Sequence, residues 1–239
     1  MAKASERERC ITGIEGLDNI LGGGIPTHNI VLVAGAAGTG KTSLAFEFVV
    51  RGAVSGENGV LITTVESKSK LLANIPSLVF YDEKTVGKRI TIMTLKDLLE
   101  EAGISDGVAG ESVMDMLISM VEKMVVTAKA KRLVIDSIDT ILPDQKEERL
   151  DTYFLTKLSQ MLHEKGSTAI LVCKAETAEG GIGSVVDGII QMGNLERKGD
   201  LLRTMQVPKM KGATHSRAKY VIDLTSAGVL VTTLLKGGI

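Results

Sequence analysis

Short, continuous apolar runs alternate with longer amphipathic segments through the first four fifths of the chain. The apolar runs, rich in Val, Ile and Leu, predict buried strands at residues 29–34, 59–65, 89–95, 131–136, 168–173 and 187–192. The segments between them favour helices, above all at residues 43–50, 111–129 and 147–165. Strands that are apolar throughout are typical of a parallel sheet covered on both faces. The pattern therefore predicts an α/β protein with three layers and a mostly parallel central sheet.

The pattern changes near the end of the chain, where three short strands are predicted without helices between them, at residues 201–207, 219–224 and 228–234. They indicate an antiparallel meander at the edge of the sheet. Residues 1–9 are charged and are expected to be flexible, and residues 10–239 are expected to form a single domain. In the helix predicted at 111–129, the spacing assigns these side chains to the core: Val113, Met116, Leu117, Met120, Met124 and Val125.

A glycine-rich turn follows the first of the predicted core strands. It reads Gly35-Ala36-Ala37-Gly38-Thr39-Gly40-Lys41-Thr42, and Ser43 opens the next helix. Strand, glycine-rich turn, Lys-Thr and helix is the context of a phosphate-binding loop. The glycines allow the backbone to wrap a phosphate, Lys41 is expected to reach the β- and γ-phosphates, and Thr42 to bind Mg²⁺.

Carboxylates at the ends of two other strands complete the expected site. Asp136 ends the strand at 131–136, which is the place of a second Mg²⁺ ligand, although a surface Asp that caps the turn is the alternative. Glu66 follows the strand at 59–65 and is the favoured residue to position the attacking water, the alternative being a Glu at a helix start. Asp139 is a weaker candidate for an acid.

Composition narrows the classes of function. The formal net charge is −1, aromatic residues make up 3% and Trp is absent, so a nucleic-acid partner is not expected. Cys10 and Cys173 lie far apart, which fits a reducing compartment. The chain shows neither a signal-peptide pattern nor an apolar run long enough to span a membrane, so we expect a cytoplasmic protein without membrane insertion.

Taken together, these motifs resemble the RecA-like KaiC family of ATPases. The residues that carry the resemblance are 12–26, which look like the family's opening motif, the phosphate-binding loop, Val65-Glu66-Ser67, Leu133 to Ser137, and Lys209 to Ser216 with the strands after it. The resemblance implies a RecA-like core that forms a homo-oligomer, as a hexameric ring, with ATP between subunits. It also implies that Lys209 and Lys211 reach the γ-phosphate bound by the neighbouring subunit.

Two departures from the family pattern affect the expected activity. Ser67 replaces the second acid of the usual pair, and Lys211 stands where Arg is usual, although Lys lacks the planar bidentate geometry of Arg. We therefore expect ATP binding with slow hydrolysis. A non-catalytic nucleotide switch that recruits partner proteins is the alternative.

Other readings of the sequence stay open with less support. A DNA-repair module is disfavoured because the loop at residues 175–183 carries two acids and lacks Lys, Arg and aromatic residues. A GTPase is disfavoured because a guanine-reading motif is not reproduced. From the residues alone, the basic segment at 196–219 also fits a solvated hairpin at the sheet edge.

Overall fold

The computed structural model describes residues 8–64, 68–74, 79, 81, 87–103, 110–142, 148–179 and 181–234. The strands are β1 (Arg9–Cys10), β2 (Ile25–Pro26), β3 (Ile30–Gly35), β4 (Asn58–Thr63), β5 (Ile90–Thr94), β6 (Ala130–Asp136), β7 (Thr168–Cys173), β8 (Gly188–Arg197), β9 (Asp200–Met210), β10 (Lys219–Thr225) and β11 (Gly228–Thr233). The helices are α1 (Leu17–Ile20), α2 (Lys41–Val54), α3 (Lys68–Asn74), α4 (Leu95–Ala102), α5 (Glu111–Ala128), α6 (Glu148–Lys165), α7 (Ala175–Glu179) and α8 (Ile182–Val185).

The described strands build one nine-stranded sheet in the order β11-β10-β9-β8-β3-β7-β6-β4-β5, with β1 and β2 paired separately. The six strands from β8 to β5 in that order pair in parallel. On the other side of β8, the strands β9, β10 and β11 continue as an antiparallel meander. The predicted α/β fold, with its mostly parallel sheet and antiparallel edge, is confirmed.

Alternation of side chains along the strands produces an apolar core on each face of the sheet. In β3, Val31 and Val33 join the core under α1, α2 and the meander, whereas Leu32 and Ala34 join the core under α5 and α6. Strand β3 is buried along its whole length, since helices cover both faces. The fold therefore has the three layers that its continuous apolar strands predict.

Two local features differ from the sequence-based expectation. Helix α4 was not predicted, although Thr94 and Asp97 form a capping box at its start, in which each side chain bonds the backbone of the other. Met116 was assigned to the core of α5, yet it is 49% exposed, and Met114, Ile118 and Val121 are buried instead. The buried stripe of α5 is thus rotated relative to the expected one.

The parallel strands give the sheet two distinct edges. At the carboxyl edge, β3, β4, β6 and β7 end at Gly35, Thr63, Asp136 and Cys173. At the amino edge, β8 begins at Gly188 beside Val31. Ligands of open α/β sheets bind outside the carboxyl ends of the strands, so the predicted site residues belong to the edge where such sites occur.

Candidate functional site

The glycine-rich turn joins the carboxyl end of β3 to the start of α2. Gly38 and Gly40 take φ values of 78° and 97°, a left-handed backbone that glycine adopts without strain. Ala36, Ala37 and Gly38 are exposed, whereas Thr39 is buried and donates a hydrogen bond of 2.8 Å to the Ala36 carbonyl. This bond closes the turn from inside and leaves its outer backbone open to a ligand.

Helix α2 begins directly after this turn. Gly40 is its N-cap and supplies no side-chain hydrogen bond to the first turn of the helix. The exposed side chains of Thr42 and Ser43 belong to that first turn. Unpaired amides and the positive end of the helix dipole attract an anion, so the chain offers a phosphate two kinds of favourable contact here.

Lys41 folds back over the turn. Its Nζ donates hydrogen bonds of 2.7 Å to the Gly35 carbonyl and 2.8 Å to the Ala36 carbonyl. The ammonium group therefore lies above the open backbone of the loop, where a phosphate would meet it. The role of Lys41 as a phosphate ligand stays a prediction.

Thr42 and Asp136 come together, as the sequence predicts. Both line one small cavity at the carboxyl edge, together with Thr63 and apolar side chains of α2, β4 and β6. Asp136 is 9% exposed and Thr42 is exposed, so the cavity holds a carboxylate and a hydroxyl. Oxygen ligands of these kinds are those that Mg²⁺ prefers, so the donor set fits a Mg²⁺ ion.

Both carboxylate oxygens of Asp139, the weaker acid candidate, accept hydrogen bonds within the chain. Its Oδ2 accepts a hydrogen bond of 2.5 Å from the Ser137 hydroxyl, and its Oδ1 accepts one of 2.5 Å from the Thr177 hydroxyl. The Lys174 amide donates to the same carboxylate, at 3.0 Å from Oδ2. Because both oxygens are engaged, Asp139 links the end of β6 to the start of α7.

Cys173 lies at the carboxyl end of β7 without offering a reactive thiol. Burial, followed by the charge of the nearby Asp139 carboxylate, raises the pKa of the Cys173 thiol to about 12, although Lys41 lowers it slightly. The thiol therefore stays protonated at neutral pH. Burial likewise raises the pKa of the Cys10 thiol to about 11.

Glu66, which is predicted to position the attacking water, and Ser67, which replaces the second acid of the family's pair, lie outside the described residues. The described chain before them ends at the carboxyl edge, where β4 ends at Thr63 and Thr64 forms hydrogen bonds with the end of β6. The Thr64 amide donates to the Asp136 carbonyl at 2.7 Å, and the Thr64 hydroxyl accepts from the Ser137 amide at 2.8 Å.

Lys209 and Lys211 lie toward the other edge of the sheet. Lys209 pairs with Ile189, which is in register with Leu32, and the Lys211 amide bonds the Asp187 carbonyl just before β8. At about 3.3 Å per residue, these positions lie roughly 10 and 16 Å from Gly35 along the strand direction. The two lysines are thus not brought together with the loop of their own chain.

Carbonyl oxygens of α8 hold the Lys209 ammonium group, and the Asp187 carboxylate pairs with that of Lys211. Lys209 Nζ donates to the carbonyls of Gly183 at 2.8 Å and Ser184 at 3.1 Å, and Lys211 Nζ lies 3.3 Å from Asp187 Oδ1. Burial, followed by the charge of Lys211, lowers the pKa of Lys209.

Two residues of the meander touch the loop, and sequence reasoning missed both. Arg203 on β9 donates from Nε to the Gly38 carbonyl at 3.2 Å. Leu224 on β10 packs against Gly40, where a Cβ would lie 3.2 Å from one of its methyl groups. The basic segment at residues 196–219 was the available signal for Arg203. Only the register of β8 against β3 and β9 shows which Lys or Arg of that segment contacts the loop.

The fold and this site define a RecA-like, P-loop protein that binds ATP. The family described as "ATPase: KaiC" matches residues 10–236, and the chain belongs to that family. A UPF0273 protein of Methanopyrus kandleri is 32% identical over 233 residues, which cover 94% of this chain and 92% of that protein.

Two further comparisons agree with this assignment. The circadian clock protein KaiC2 of Synechocystis is 31% identical over 228 residues, which cover 93% of this chain and 40% of that protein. The crystal structure of a KaiC-like protein from Pyrococcus horikoshii is 30% identical with a TM-score of 0.77, and the match covers 94% of this chain and 99% of that one. In the part of the chain that the structure describes, each helix is too short or too polar to cross a membrane.

Proposed function

We propose that the protein is a Mg²⁺-dependent ATPase whose sites form between the subunits of a homo-oligomeric ring. The observation that carries the proposal is the separation of the two halves of the site within one chain. The phosphate-binding loop lies at the carboxyl edge, whereas Lys209 and Lys211 are held toward the amino edge. A complete site therefore takes the loop from one subunit and the lysines from its neighbour.

Within one site, the residues have distinct tasks. The loop backbone and Lys41 hold the phosphates, and Thr42 with Asp136 would hold Mg²⁺, which stabilises the charge that develops on the phosphates. Glu66 is proposed to orient the attacking water. Six subunits and a cytoplasmic location are part of the proposal, and both rest on the family pattern and the composition.

Slow turnover follows from the kind of cation at the shared site. An Arg that reaches the transferred phosphate from a neighbour can contribute on the order of 10³-fold or more in rate. Lys offers a single charged group in place of a planar fork, so Lys211 would stabilise the transition state less well. The same observation favours a second candidate, a ring that binds ATP as a switch for partner proteins without turnover.

Mixing two inactive variants tests the shared site. Lys41→Ala removes phosphate binding from one partner, and the double variant Lys209→Ala/Lys211→Ala removes the lysines from the other. If sites are shared, each variant alone is inactive, and random mixing restores about one quarter of the sites because each half is intact at half the positions. The matched control is Lys219→Ala, an exposed lysine of β10 whose strand partner is Gln206 and which should leave turnover unchanged.

Steady-state phosphate release and light scattering supply the readouts. We expect ATP and Mg²⁺ to raise the mass in solution to that of a ring, and the mixture to hydrolyse ATP. Glu66→Gln should keep ATP binding and abolish hydrolysis, and Lys211→Arg should raise kcat. A mixture as inactive as its parts would contradict shared sites, and ATP binding without turnover in the unmodified protein would favour the switch.

A further inference from the structure

The three donors that converge on Asp139 come from separate parts of the chain. Ser137 belongs to the end of β6, next to Asp136, while the Lys174 amide and the Thr177 hydroxyl belong to the end of β7 and to α7. A carboxylate that accepts several hydrogen bonds forms strong, charge-assisted contacts. The Asp139 side chain therefore fastens α7 to the strand that carries the Mg²⁺ ligand.

Helix α7 is in turn packed tightly against α8. A Cβ on Gly183 would lie 2.3 Å from the Ala178 carbonyl oxygen, which is closer than real side chains approach. Glycine at this position therefore lets the backbone of α8 touch the backbone of α7 directly. A displacement of α7 would be passed to α8, because packed backbones cannot interpenetrate.

The carbonyl groups of α8 hold Lys209 and, together with the Asp187 carboxylate, contact Lys211. Lys209 Nζ is bonded to the carbonyls of Gly183 and Ser184, and Lys211 Nζ lies 3.5 Å from the Val185 carbonyl. The position of α8 thus sets where the ammonium group of Lys209 is found. A path of direct contacts leads from Asp139 through α7 and α8 to this lysine.

We propose that Asp139 is a positioning residue, which holds α7 and α8 so that Lys209 and Lys211 are placed to meet the nucleotide of the neighbouring subunit. The inference rests on the proposed shared site and adds a link, within each subunit, between its own nucleotide site and the lysines that it offers to its neighbour. Because Asp139 lies three residues after Asp136, the path begins beside the subunit's own Mg²⁺ site. Nucleotide bound to one subunit would then influence the lysines that the subunit offers to the next.

Hydrogen exchange tests the path without requiring turnover. Asp139→Asn keeps the size of the side chain but removes its charge and replaces one acceptor oxygen by a donor, so the charge-assisted bonds are weakened and a hydroxyl group that donated must now accept. We expect faster amide exchange at residues 174–187 and at the Lys211 amide, which bonds the Asp187 carbonyl. Exchange unchanged beyond Thr177 would overturn the inference whether or not the ring hydrolyses ATP.

A mixed ring then assigns the effect to the subunit that offers the lysines. Asp139→Asn is placed in the Lys41→Ala subunit, which binds no nucleotide, and this is mixed with the Lys209→Ala/Lys211→Ala subunit. We expect kcat to fall about tenfold with KM nearly unchanged, since ATP is bound by the other partner. Gly183→Ala in the same subunit should reproduce the fall by breaking the path at α8.

Asp115→Asn is the matched control, because Asp115 also accepts a hydroxyl bond, 2.8 Å from Tyr153, but on the outside of α5. It should leave kcat unchanged. If Asp139→Asn in the lysine-offering subunit leaves kcat within about twofold, the inference is wrong. If the parent mixture itself shows no turnover, the shared site of the proposed function fails instead, and hydrogen exchange alone decides the inference.

Discussion

Arg132 is the residue whose replacement should most clearly reveal how the phosphate-binding helix is anchored. It is the third residue of β6 and is 2% exposed. Its guanidinium donates to the Phe48 carbonyl of α2 at 2.7 Å, to the Ile11 carbonyl at 2.6 Å and to Glu57 Oε2 at 2.6 Å. It also lies over the Phe48 ring, 4.6 Å from the centroid. One side chain thereby joins the central sheet, α2 and the segment before α1.

The substitution Arg132→Met removes these bonds while it keeps a long apolar stem. Each hydrogen bond from a charged group contributes about 1.5–3 kcal/mol, and the two short bonds to carbonyls are lost together. Relief from burying the guanidinium offsets part of the loss, but Glu57 is left without its partner. Because the Glu57 side chain is 37% exposed, water can replace its lost partner, so the two bonds to carbonyls set the net effect, and we expect the free energy of unfolding to fall by about 2–4 kcal/mol.

Urea unfolding followed by circular dichroism measures the change, with Arg149→Met as the matched control. Arg149 forms an ion pair of 2.9 Å with Glu111, similar in length to that of Arg132, but its side chain is 87% exposed. An exposed pair contributes at most about 1 kcal/mol. If both substitutions lowered the free energy of unfolding by the same small amount, the reasoning from burial would be refuted.

Two further predictions concern pH and the loop. Burial, followed by the charges of His163 and Lys131, lowers the pKa of His28. As the pH falls below about 6.5, the unfolded chain therefore takes up a proton at this residue before the folded chain does, and stability is lost in that range. His28→Asn, which tolerates the φ of 67° at this position, should lose less melting temperature between pH 8 and 5 than the unmodified protein, and equal losses would contradict the assignment. Gly35→Ala would place a Cβ 2.2 Å from a carbonyl oxygen of β8. Thermal melting should show that the free energy of unfolding falls by about 1–3 kcal/mol, and calorimetry should show weaker ATP binding. Gly193→Ala is the control and should be neutral, because the nearest atom to its Cβ would be 3.6 Å away.

The site residues that have a local sequence signature could be predicted from the sequence. The turn from Gly35 to Thr42 and the strand end at Asp136 have local signatures, and the structure brings Thr42 and Asp136 to one cavity. The meander was also predictable, because its strands follow one another without helices. Sites of this kind are readable since a few residues with fixed spacing determine the backbone around them.

What the sequence did not reveal depends on contacts between distant segments. Arg203 reaches the loop only because β8 is parallel to β3 and antiparallel to β9, and neither register is visible in the residues themselves. Met116 was misassigned because the spacing along a helix fixes the width of the apolar stripe better than its direction. Helix α4 was overlooked although Thr94 and Asp97 form a recognisable capping signature.

In the proposed assembly, the loop at one edge of the sheet and the lysines toward the other give each subunit a head and a tail. Subunits joined head to tail in an open row would leave one terminal loop without lysines and, at the far end, one pair of lysines without a nucleotide. Closure of the row removes both idle ends at once, so a closed assembly has as many complete sites as subunits. Turnover per subunit should therefore be higher in a closed ring than in an open row of the same number of subunits, although each interior subunit has two neighbours in both.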